Sequence, residues 1–290
     1  MCAAPKPRAG EGVTQAMLPG YMTESRGALE EFSRRNYQTA RLGDEDVLCR
    51  VLGRYILYGD PEDVCIVPHL CLDGYWEPWI TVALARLIQP GWHCVDVGAN
   101  HGYFTLLMAD GAGPGGRVLA VEPNPRLAGR VERTLEVNGL QSRATLLQKA
   151  AADEAGARLT LVMPRRHSPD ATVCRAATEA DEVFEVESVT LDAATADWPR
   201  VDLVKIDAEG AEPLVWRGMR ELVARRPGVT VVMEFCPARY ADPRAFLAEI
   251  VRAGFPLRHI NYDADIAPAT EQQILAASEA ADLMLFLRRD

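Results

Sequence analysis

The chain has 290 residues, 48% of them apolar, and a formal net charge of −10 at pH 7. It is long enough for one large core, or for a core with an appendage, and its negative charge disfavours a nucleic-acid partner, whose phosphates require a basic surface. Seven cysteines without C-x-x-C spacing argue against a disulfide framework and against a structural zinc site.

The N-terminal segment is unlike a targeting sequence. Residues 1–13, MCAAPKPRAGEGV, lack the apolar stretch of a signal peptide and are expected to form a flexible tail. No part of the chain approaches the roughly 18 consecutive apolar residues of a membrane span. We therefore expect a cytoplasmic protein with no membrane span.

Residues 14–73 are predicted to form an N-terminal extension made of a helix and a β-hairpin. The clearest helical segment is GALEEFSRRNYQTARL, residues 27–42, which is partly amphipathic. Two β-rich runs between residues 47 and 70 flank GDPED, residues 59–63. We interpret this polar stretch as the turn of the hairpin.

Strands and helices alternate through the rest of the chain, and residues 74–290 are predicted to form one α/β domain. The predicted strands are 93–99, 116–123, 144–152, 158–164, 184–191, 201–210, 229–235, 256–260 and 281–288. The predicted helices are 77–88, 102–110, 125–140, 211–226 and 242–254. This alternation indicates a doubly wound, mostly parallel sheet that is covered on both faces.

The segment from Pro164 to Glu182 is polar, has no periodicity, and is long for a connection. Segments of this kind are usually functional lids or disordered. The sequence favours neither alternative.

A glycine-rich turn separates the apolar strand HCVDV from the apolar helix YFTLLMAD. Asp96 lies in the strand, Gly98 and Gly102 lie in the turn, and Glu122 ends the next strand. The dinucleotide fingerprint G-x-G-x-x-G is incomplete, which disfavours a nicotinamide-dependent oxidoreductase. Two glycines still allow an adenosine without phosphates to approach, and a carboxylate can accept hydrogen bonds from both ribose hydroxyls. A glycine pair alone would favour a simple tight turn, but its combination with both acids favours an S-adenosylmethionine site.

Four segments resemble the FkbM family of S-adenosylmethionine-dependent methyltransferases. They are VDVGANHGYFTLLMA, GGRVLAVEPNP, VNGL and VDLVKIDAEGAE, and the similarity extends from about Gly74 to about Phe235. One departure is His101, where the family usually has an apolar residue. The resemblance implies a Rossmann-like class I methyltransferase fold with a doubly wound, mostly parallel sheet of seven strands.

The resemblance also implies a set of cofactor-binding residues. Asp96, Gly98, Asn100 and Gly102 would contact the methionine part, Glu122 would hold the ribose, Pro123 and Asn124 would border the adenine, and Tyr103 would line the same pocket. Asp153 would approach the adenine amine, or would only start the turn before Gly156. Glu77 would close over the cofactor, or would only begin a helix, where a carboxylate is favourable.

The predicted catalytic residues are Asp207 and Glu209, which follow the apolar run VDLVKI. Reacting groups gather at the carboxyl ends of strands in an open sheet, and Lys205, two residues earlier, would keep Asp207 ionised. Glu212 is more simply interpreted as a helix cap. Glu234 could form a magnesium site with Asp207, although nothing else in the sequence requires a metal.

The predicted function is methylation of a hydroxyl on a sugar, a glycoconjugate or a secondary metabolite. An amine or a carboxylate is the alternative acceptor, and a nicotinamide-dependent oxidoreductase is disfavoured. The expected cofactor is S-adenosylmethionine, and the expected partner is a small molecule that carries a hydroxyl group. The sequence leaves homo-oligomerisation open.

Overall fold

The protein is described by a computed structural model that covers residues 18–164, 171–174, 176–179, 181–277 and 283–289. The strands are β1 (Thr39–Leu42), β2 (Asp46–Val51), β3 (Tyr55–Gly59), β4 (His93–Val97), β5 (Arg117–Val121), β6 (Ala144–Leu147), β7 (Ala150–Ala151), β8 (Arg158–Pro164), β9 (Asp181–Val189), β10 (Leu203–Ile206), β11 (Thr230–Glu234), β12 (Arg258–Ile260), β13 (Ile266–Pro268) and β14 (Met284–Leu287). The helices are α1 (Gly20–Thr23), α2 (Arg26–Asn36), α3 (Ile66–Leu72), α4 (Pro78–Leu87), α5 (Tyr103–Ala112), α6 (Pro125–Val137), α7 (Leu191–Ala194), α8 (Glu212–Arg217), α9 (Arg220–Arg225), α10 (Pro243–Arg252) and α11 (Glu271–Leu275).

The central sheet has eight strands in the order β13-β12-β14-β11-β10-β4-β5-β6. The five strands from β11 to β6 are parallel, and β14, β12 and β13 continue the sheet in antiparallel pairing. The predicted α/β class and the mostly parallel sheet are confirmed. The sheet has one strand more than the seven predicted, because the short edge strand β13 was not recognised in the sequence.

The central strands are buried on both faces, which explains their nearly continuous apolar sequences. Along β4, Cys94 packs in one apolar cluster, whereas its neighbours Val95 and Val97 pack in another. Because successive side chains of a strand point to opposite faces, the two clusters cover the two faces of the sheet. Lys205 of β10 lies opposite Asp96 of β4 in the sheet register, so two charged residues lie within these apolar strands.

The N-terminal extension differs from the prediction. The predicted turn over residues 59–63 is wrong: β2 and β3 are joined at Leu52 and Gly53, both with positive φ, and Gly59 is the last residue of β3. Residues 66–72, predicted as a strand, form helix α3, because the Asp63 carboxylate accepts hydrogen bonds from three backbone N–H groups at its start. The predicted helix also ends early, at Asn36, and residues 39–42 pair with β2 as an edge strand.

Two strands that were predicted correctly lie outside the central sheet. β8 and β9 form an antiparallel pair, and β9 also pairs with the short strand β7. Part of the segment 164–182 lies outside the described residues, so the choice between a lid and a disordered loop stays open. Of its described residues, Thr172 bridges to Val162 of β8.

The predicted helix over residues 211–226 is two helices, α8 and α9. They are separated at Gly218, where a β-carbon would lie 2.0 Å from the Ala152 carbonyl oxygen. The backbone therefore packs too closely here for a longer side chain. Across the described ranges, no helix has the length and apolarity needed to span a bilayer.

Candidate active site

A cavity of about 260 Å³ lies at the carboxyl ends of the parallel strands. Its walls include the turn after β4, the end of β5, the segment that follows β10 and Glu234 at the end of β11. The N-terminal extension contributes Cys65 and Ile66. Polar residues that follow four neighbouring strands therefore meet at one edge, as expected for an open α/β sheet.

The turn after β4 is held tightly against the segment after β10. Gly98 has a φ of +73°, and a β-carbon there would lie 1.7 Å from the carbonyl oxygen of Asp207. Asn100, with a φ of +50°, also lines the cavity. Gly102 immediately precedes helix α5 and packs against Val131. Unlike Gly98 and Asn100, it does not line the cavity.

Glu122 is placed at the cavity wall immediately after β5, and both of its carboxylate oxygens are oriented by backbone. Oε2 accepts a hydrogen bond from the Asn100 N–H at 2.8 Å, and Oε1 accepts one from the Asn124 N–H at 2.9 Å. Burial raises the pKa of Glu122 to about 7, although these two hydrogen bonds oppose the shift. Each oxygen retains acceptor capacity, so the side chain can still bind two hydroxyl groups.

Asp96 is fully buried beneath the cavity rather than at its wall. Its carboxylate accepts a hydrogen bond from the Thr105 hydroxyl at 2.6 Å and lies 4.0 Å from the Lys205 ammonium. Burial raises the pKa of Asp96, and the charge of Lys205 opposes this shift. The structure does not bring Asp96 to the wall where the predicted contact with methionine would occur, since the side chain points into the sheet core.

Lys205 and Asp207 form an ion pair at the exit of β10. The Lys205 Nζ lies 3.0 Å from the Asp207 carboxylate and 4.7 Å from the centre of the Phe104 ring. Lys205 is buried, whereas the Asp207 side chain is 26% exposed and lines the cavity. Lys205 therefore lies beside Asp207, which is the first residue after β10.

Glu212 shapes the loop that carries the predicted catalytic residues. Its buried carboxylate accepts hydrogen bonds from the Ala208 and Gly210 N–H groups, at 2.7 Å and 3.0 Å. Within this loop Glu209 has a φ of +52° and lines the cavity. Glu212 is the first residue of α8, where an acidic residue is favourable, but its oxygens bind N–H groups of the preceding loop and not those of the helix. It therefore holds the loop and does not cap α8 by hydrogen bonds.

Arg239 is a site residue that the sequence analysis missed. It ends a 3-10 helix, Pro237–Arg239, that follows β11. Its Nη1 lies 2.5 Å from the Glu209 carboxylate and 3.1 Å from the Glu234 carboxylate. Burial and the nearby charges of Asp207 and Glu234 raise the pKa of Glu209, whereas Arg239 lowers it. The sequence could have indicated Arg239 by its position, since it lies five residues after the end of the central strand β11.

The other predicted cofactor residues are divided between the cavity wall and its surroundings. Glu77, Tyr103 and Pro123 line the cavity. Asn124 is buried and caps helix α6 by accepting a hydrogen bond from the Arg126 N–H, outside the cavity wall. Asp153 is exposed and also lies outside the wall formed by the described residues, which favours its interpretation as a turn residue.

His101 connects the turn to the N-terminal extension. It is buried, lines the cavity, and its Nε2 accepts a hydrogen bond from the Asp60 N–H at 3.2 Å. Burial lowers the pKa of His101 to about 4, so the ring is neutral at pH 7. A histidine replaces the apolar residue expected here because it provides an acceptor for a backbone N–H of the extension.

A glycine turn after one parallel strand and a carboxylate after the next define a nucleoside-binding site of the α/β class. Residues 96–263 match the Methyltransferase FkbM domain, and because this match spans more than half of the chain, the chain belongs to that family. These residues form a methyltransferase domain whose cofactor is S-adenosylmethionine.

Comparisons with individual proteins give shorter or more distant similarities. A stretch of 51 residues is 49% identical to a protein-L-isoaspartate O-methyltransferase of Aeropyrum pernix, and it spans 18% of this chain and 20% of that protein. A putative O-methyltransferase structure from Klebsiella pneumoniae has a TM-score of 0.43 at 15% identity, over 73% of this chain and 79% of that one. An O-methyltransferase structure from Bacillus cereus, in complex with SAH, has a TM-score of 0.42 at 16% identity, over 71% and 76% of the two chains.

Two features of the cavity suit the cofactor. Glu122 presents two carboxylate oxygens for the ribose hydroxyls. The small apolar side chains of Ala150, Ala151 and Leu161 form a wall suited to an adenine ring. These three residues were not predicted as site residues, because alanine and leucine in a strand usually indicate core.

Proposed function

We propose that the protein methylates a hydroxyl oxygen of a small molecule, such as a sugar, a glycoconjugate or a secondary metabolite. The observation that carries this proposal is the position of Asp207. Its partly exposed carboxylate lines the cavity beside the glycine turn and is paired with a buried lysine. A hydroxyl nucleophile needs such a group, because its proton must be removed during transfer.

S-adenosylmethionine, when bound, supplies a methyl group that is already activated by a sulfonium. The task of the protein is then to align the acceptor and to remove its proton, and alignment alone can supply much of the acceleration. Asp207 accepts the proton in this proposal. Lys205 holds this carboxylate in place, with its Nζ 3.0 Å from the Asp207 Oδ2.

Glu209 and the N-terminal extension form the acceptor side of the proposed pocket. Glu209 is oriented by Arg239, and Cys65 and Ile66 of the extension line the cavity together with Trp76 and Glu77, which follow the extension. This wall limits the access of water and restricts the acceptor to a small molecule or to the end of a larger one. The extension is therefore proposed to determine which acceptor is used.

The charges of the cavity disfavour an anionic acceptor. Among the described residues, its wall carries five carboxylates, Glu77, Glu122, Asp207, Glu209 and Glu234, and two basic side chains, Lys205 and Arg239. A free carboxylate would meet this excess of negative charge, whereas a neutral hydroxyl would not.

The test is methyl transfer from S-adenosylmethionine labelled with deuterium in its methyl group. Matched acceptors that differ only in a hydroxyl, an amine or a carboxylate at the same position are incubated with the protein, and products are identified by mass spectrometry. We expect label on the hydroxyl compound. Label on the amine alone would contradict the proposal, and an absence of heat on titration with S-adenosylhomocysteine would contradict cofactor binding itself.

A further inference from the structure

Three carboxylates converge beside the proposed acceptor pocket. Asp207, Glu209 and Glu234 each place one oxygen within 4.8 Å of the others. Asp207 follows β10, and Glu234 is the last residue of β11, so the parallel pairing of these strands brings the two acids together. Ionised carboxylates at this spacing repel one another, and either a neighbouring cation or protonation of one of them offsets the repulsion.

Arg239 places its guanidinium among these carboxylates. Its Nη1 lies 2.5 Å from the Glu209 Oε2 and 3.1 Å from each oxygen of Glu234. Oxygen ligands from several carboxylates are what a magnesium ion would use, with waters completing its shell. Here an arginine nitrogen occupies the position between two of the three acids.

The position of Arg239 is built into the fold. Gly210, with a φ of +97°, lies against it, and a β-carbon on Gly210 would be 3.4 Å from the Arg239 β-carbon. The short 3-10 helix after β11 returns the chain toward the loop that carries Glu209. Because both the loop and the helix limit its movement, the guanidinium is part of the site and not a mobile surface group.

We propose that Arg239 is the resident cation of this carboxylate cluster, and that methyl transfer by this protein therefore needs no divalent metal ion. Arg239 is a positioning residue that acts through Glu209 and Glu234. Its hydrogen bonds to described residues all use Nη1 and go to Glu234. The catalytic part of this inference rests on the proposed function, but the cation part does not.

The experiment compares Mn²⁺ binding, followed by electron paramagnetic resonance, in the full chain and its variants. We expect no saturable site in the wild type and one new saturable site per chain in Arg239→Met, because a competing charge has been removed. Adding Glu234→Gln to Arg239→Met should abolish that site. Arg244→Met removes an exposed arginine that is paired with Glu271, and it should behave as the wild type.

Two results would overturn the proposal. One is a wild-type protein that binds one Mn²⁺ per chain and loses it on Glu234→Gln, and the other is a folded Arg239→Met that gains no Mn²⁺ site. If Arg239→Met does not fold, Mn²⁺ binding to the wild type still tests the proposal. None of these Mn²⁺-binding measurements needs a methyl acceptor, so they remain valid if the proposed hydroxyl specificity is wrong.

Turnover provides a second readout once an acceptor is known. Wild-type turnover should be unchanged by a chelator, and Arg239→Lys should retain more activity than Arg239→Met, since lysine keeps the charge. Loss of wild-type turnover with a chelator, restored by Mg²⁺, would overturn the proposal. Equal turnover of the lysine and methionine variants would also overturn it.

Discussion

Gly98 packs so closely against Asp207 that a β-carbon at position 98 would lie 1.7 Å from the Asp207 carbonyl oxygen. The cofactor turn and the proposed catalytic loop are therefore in direct backbone contact. The absence of a side chain at one position determines how near the two halves of the site can be. Adding a side chain at Gly98 is therefore expected to disturb both the cofactor turn and the proposed catalytic loop.

Gly98→Ala should destabilise the protein by about 2 to 5 kcal/mol, because alanine is unfavourable at positive φ and its β-carbon would displace the backbone of Asp207. Binding of S-adenosylhomocysteine should weaken in parallel. Chemical denaturation and calorimetry measure the two effects. Gly129→Ala is the matched control, since Gly129 lies within helix α6 with nothing within 4 Å of its added β-carbon. Equal stability of both variants would contradict the packing argument.

Glu122→Ala should weaken cofactor binding by about 1.5 to 3 kcal/mol, the range for hydrogen bonds to a charged group. The pKa of Glu122 is raised to about 7 by burial, and only the ionised form accepts hydrogen bonds at both oxygens. Wild-type affinity for S-adenosylhomocysteine should therefore be full above pH 7 and should fall as the pH is lowered below 7. Calorimetry from pH 6 to pH 8 measures this, and the Glu122→Ala variant should lack the dependence. An unchanged affinity in the variant would disprove the ribose assignment.

Asp207→Asn should lower turnover by roughly 10²- to 10⁴-fold, the range for loss of a general base, with a much smaller effect on cofactor affinity. Steady-state kinetics and calorimetry separate these quantities. Asp153→Asn makes the same chemical change at an exposed position outside the cavity, and it should leave both unchanged. If Asp207→Asn keeps wild-type turnover, Asp207 has a structural role only. If Asp153→Asn weakens binding, Asp153 does reach the cofactor.

His101→Leu should destabilise the protein by about 1 to 3 kcal/mol at pH 7, because the buried Asp60 N–H would lose its acceptor. The folded-state pKa of His101 is lowered to about 4 by burial, below the ordinary value of 6.5. The unfolded chain therefore binds the proton first, and this part of the stability is lost as the pH falls from 6.5 toward 4. The stability difference between wild type and His101→Leu should narrow over that range. Denaturation at several pH values tests this, with the exposed His69→Leu as control.

Arg130→Met should cost about 3 to 5 kcal/mol, because Arg130 of helix α6 joins two buried carboxylates of the N-terminal extension. Its Nε lies 3.0 Å from Asp46 and its Nη1 lies 3.1 Å from Asp60. Thermal and chemical denaturation measure the loss. Arg225→Met, which removes an exposed pairing with Glu221, should change stability by less than about 0.5 kcal/mol. Similar values for the two variants would show that the buried network does not hold the extension.

Much of the central domain could be predicted, because its strands are marked by apolar runs and by the residues next to them in the sequence. Strands β4, β5, β10 and β11 are apolar runs that are followed by or end in glycine or acidic residues. β4, β5 and β11 were placed within two residues of their observed bounds, whereas the prediction for β10, residues 201–210, wrongly included the loop after Ile206. The carboxyl ends of parallel strands meet at one edge of the sheet. The meeting of Gly98, Glu122 and Asp207 at one cavity therefore follows from the strand assignment.

The N-terminal extension shows where local reasoning failed. The polar residues 59–63 have the composition of a turn, but the hairpin turns at Leu52 and Gly53, where Gly53 packs against Phe32 of helix α2. The turn composition instead reflects Asp63, whose carboxylate begins helix α3. Contacts between distant segments decided between two turns that were both locally acceptable.

The sequence by itself determined the class of the fold, the order of the central strands along the chain, and which strand ends carry the glycine turn and the acids. These features depend on periodicity and on neighbouring residues. Only the tertiary structure decided that Asp96 is buried beneath the site, that Asp153 lies outside it, and that Arg239 lies among the carboxylates. The physical reason is that the direction and partners of a side chain depend on segments far apart in the chain, and local sequence patterns do not encode those contacts.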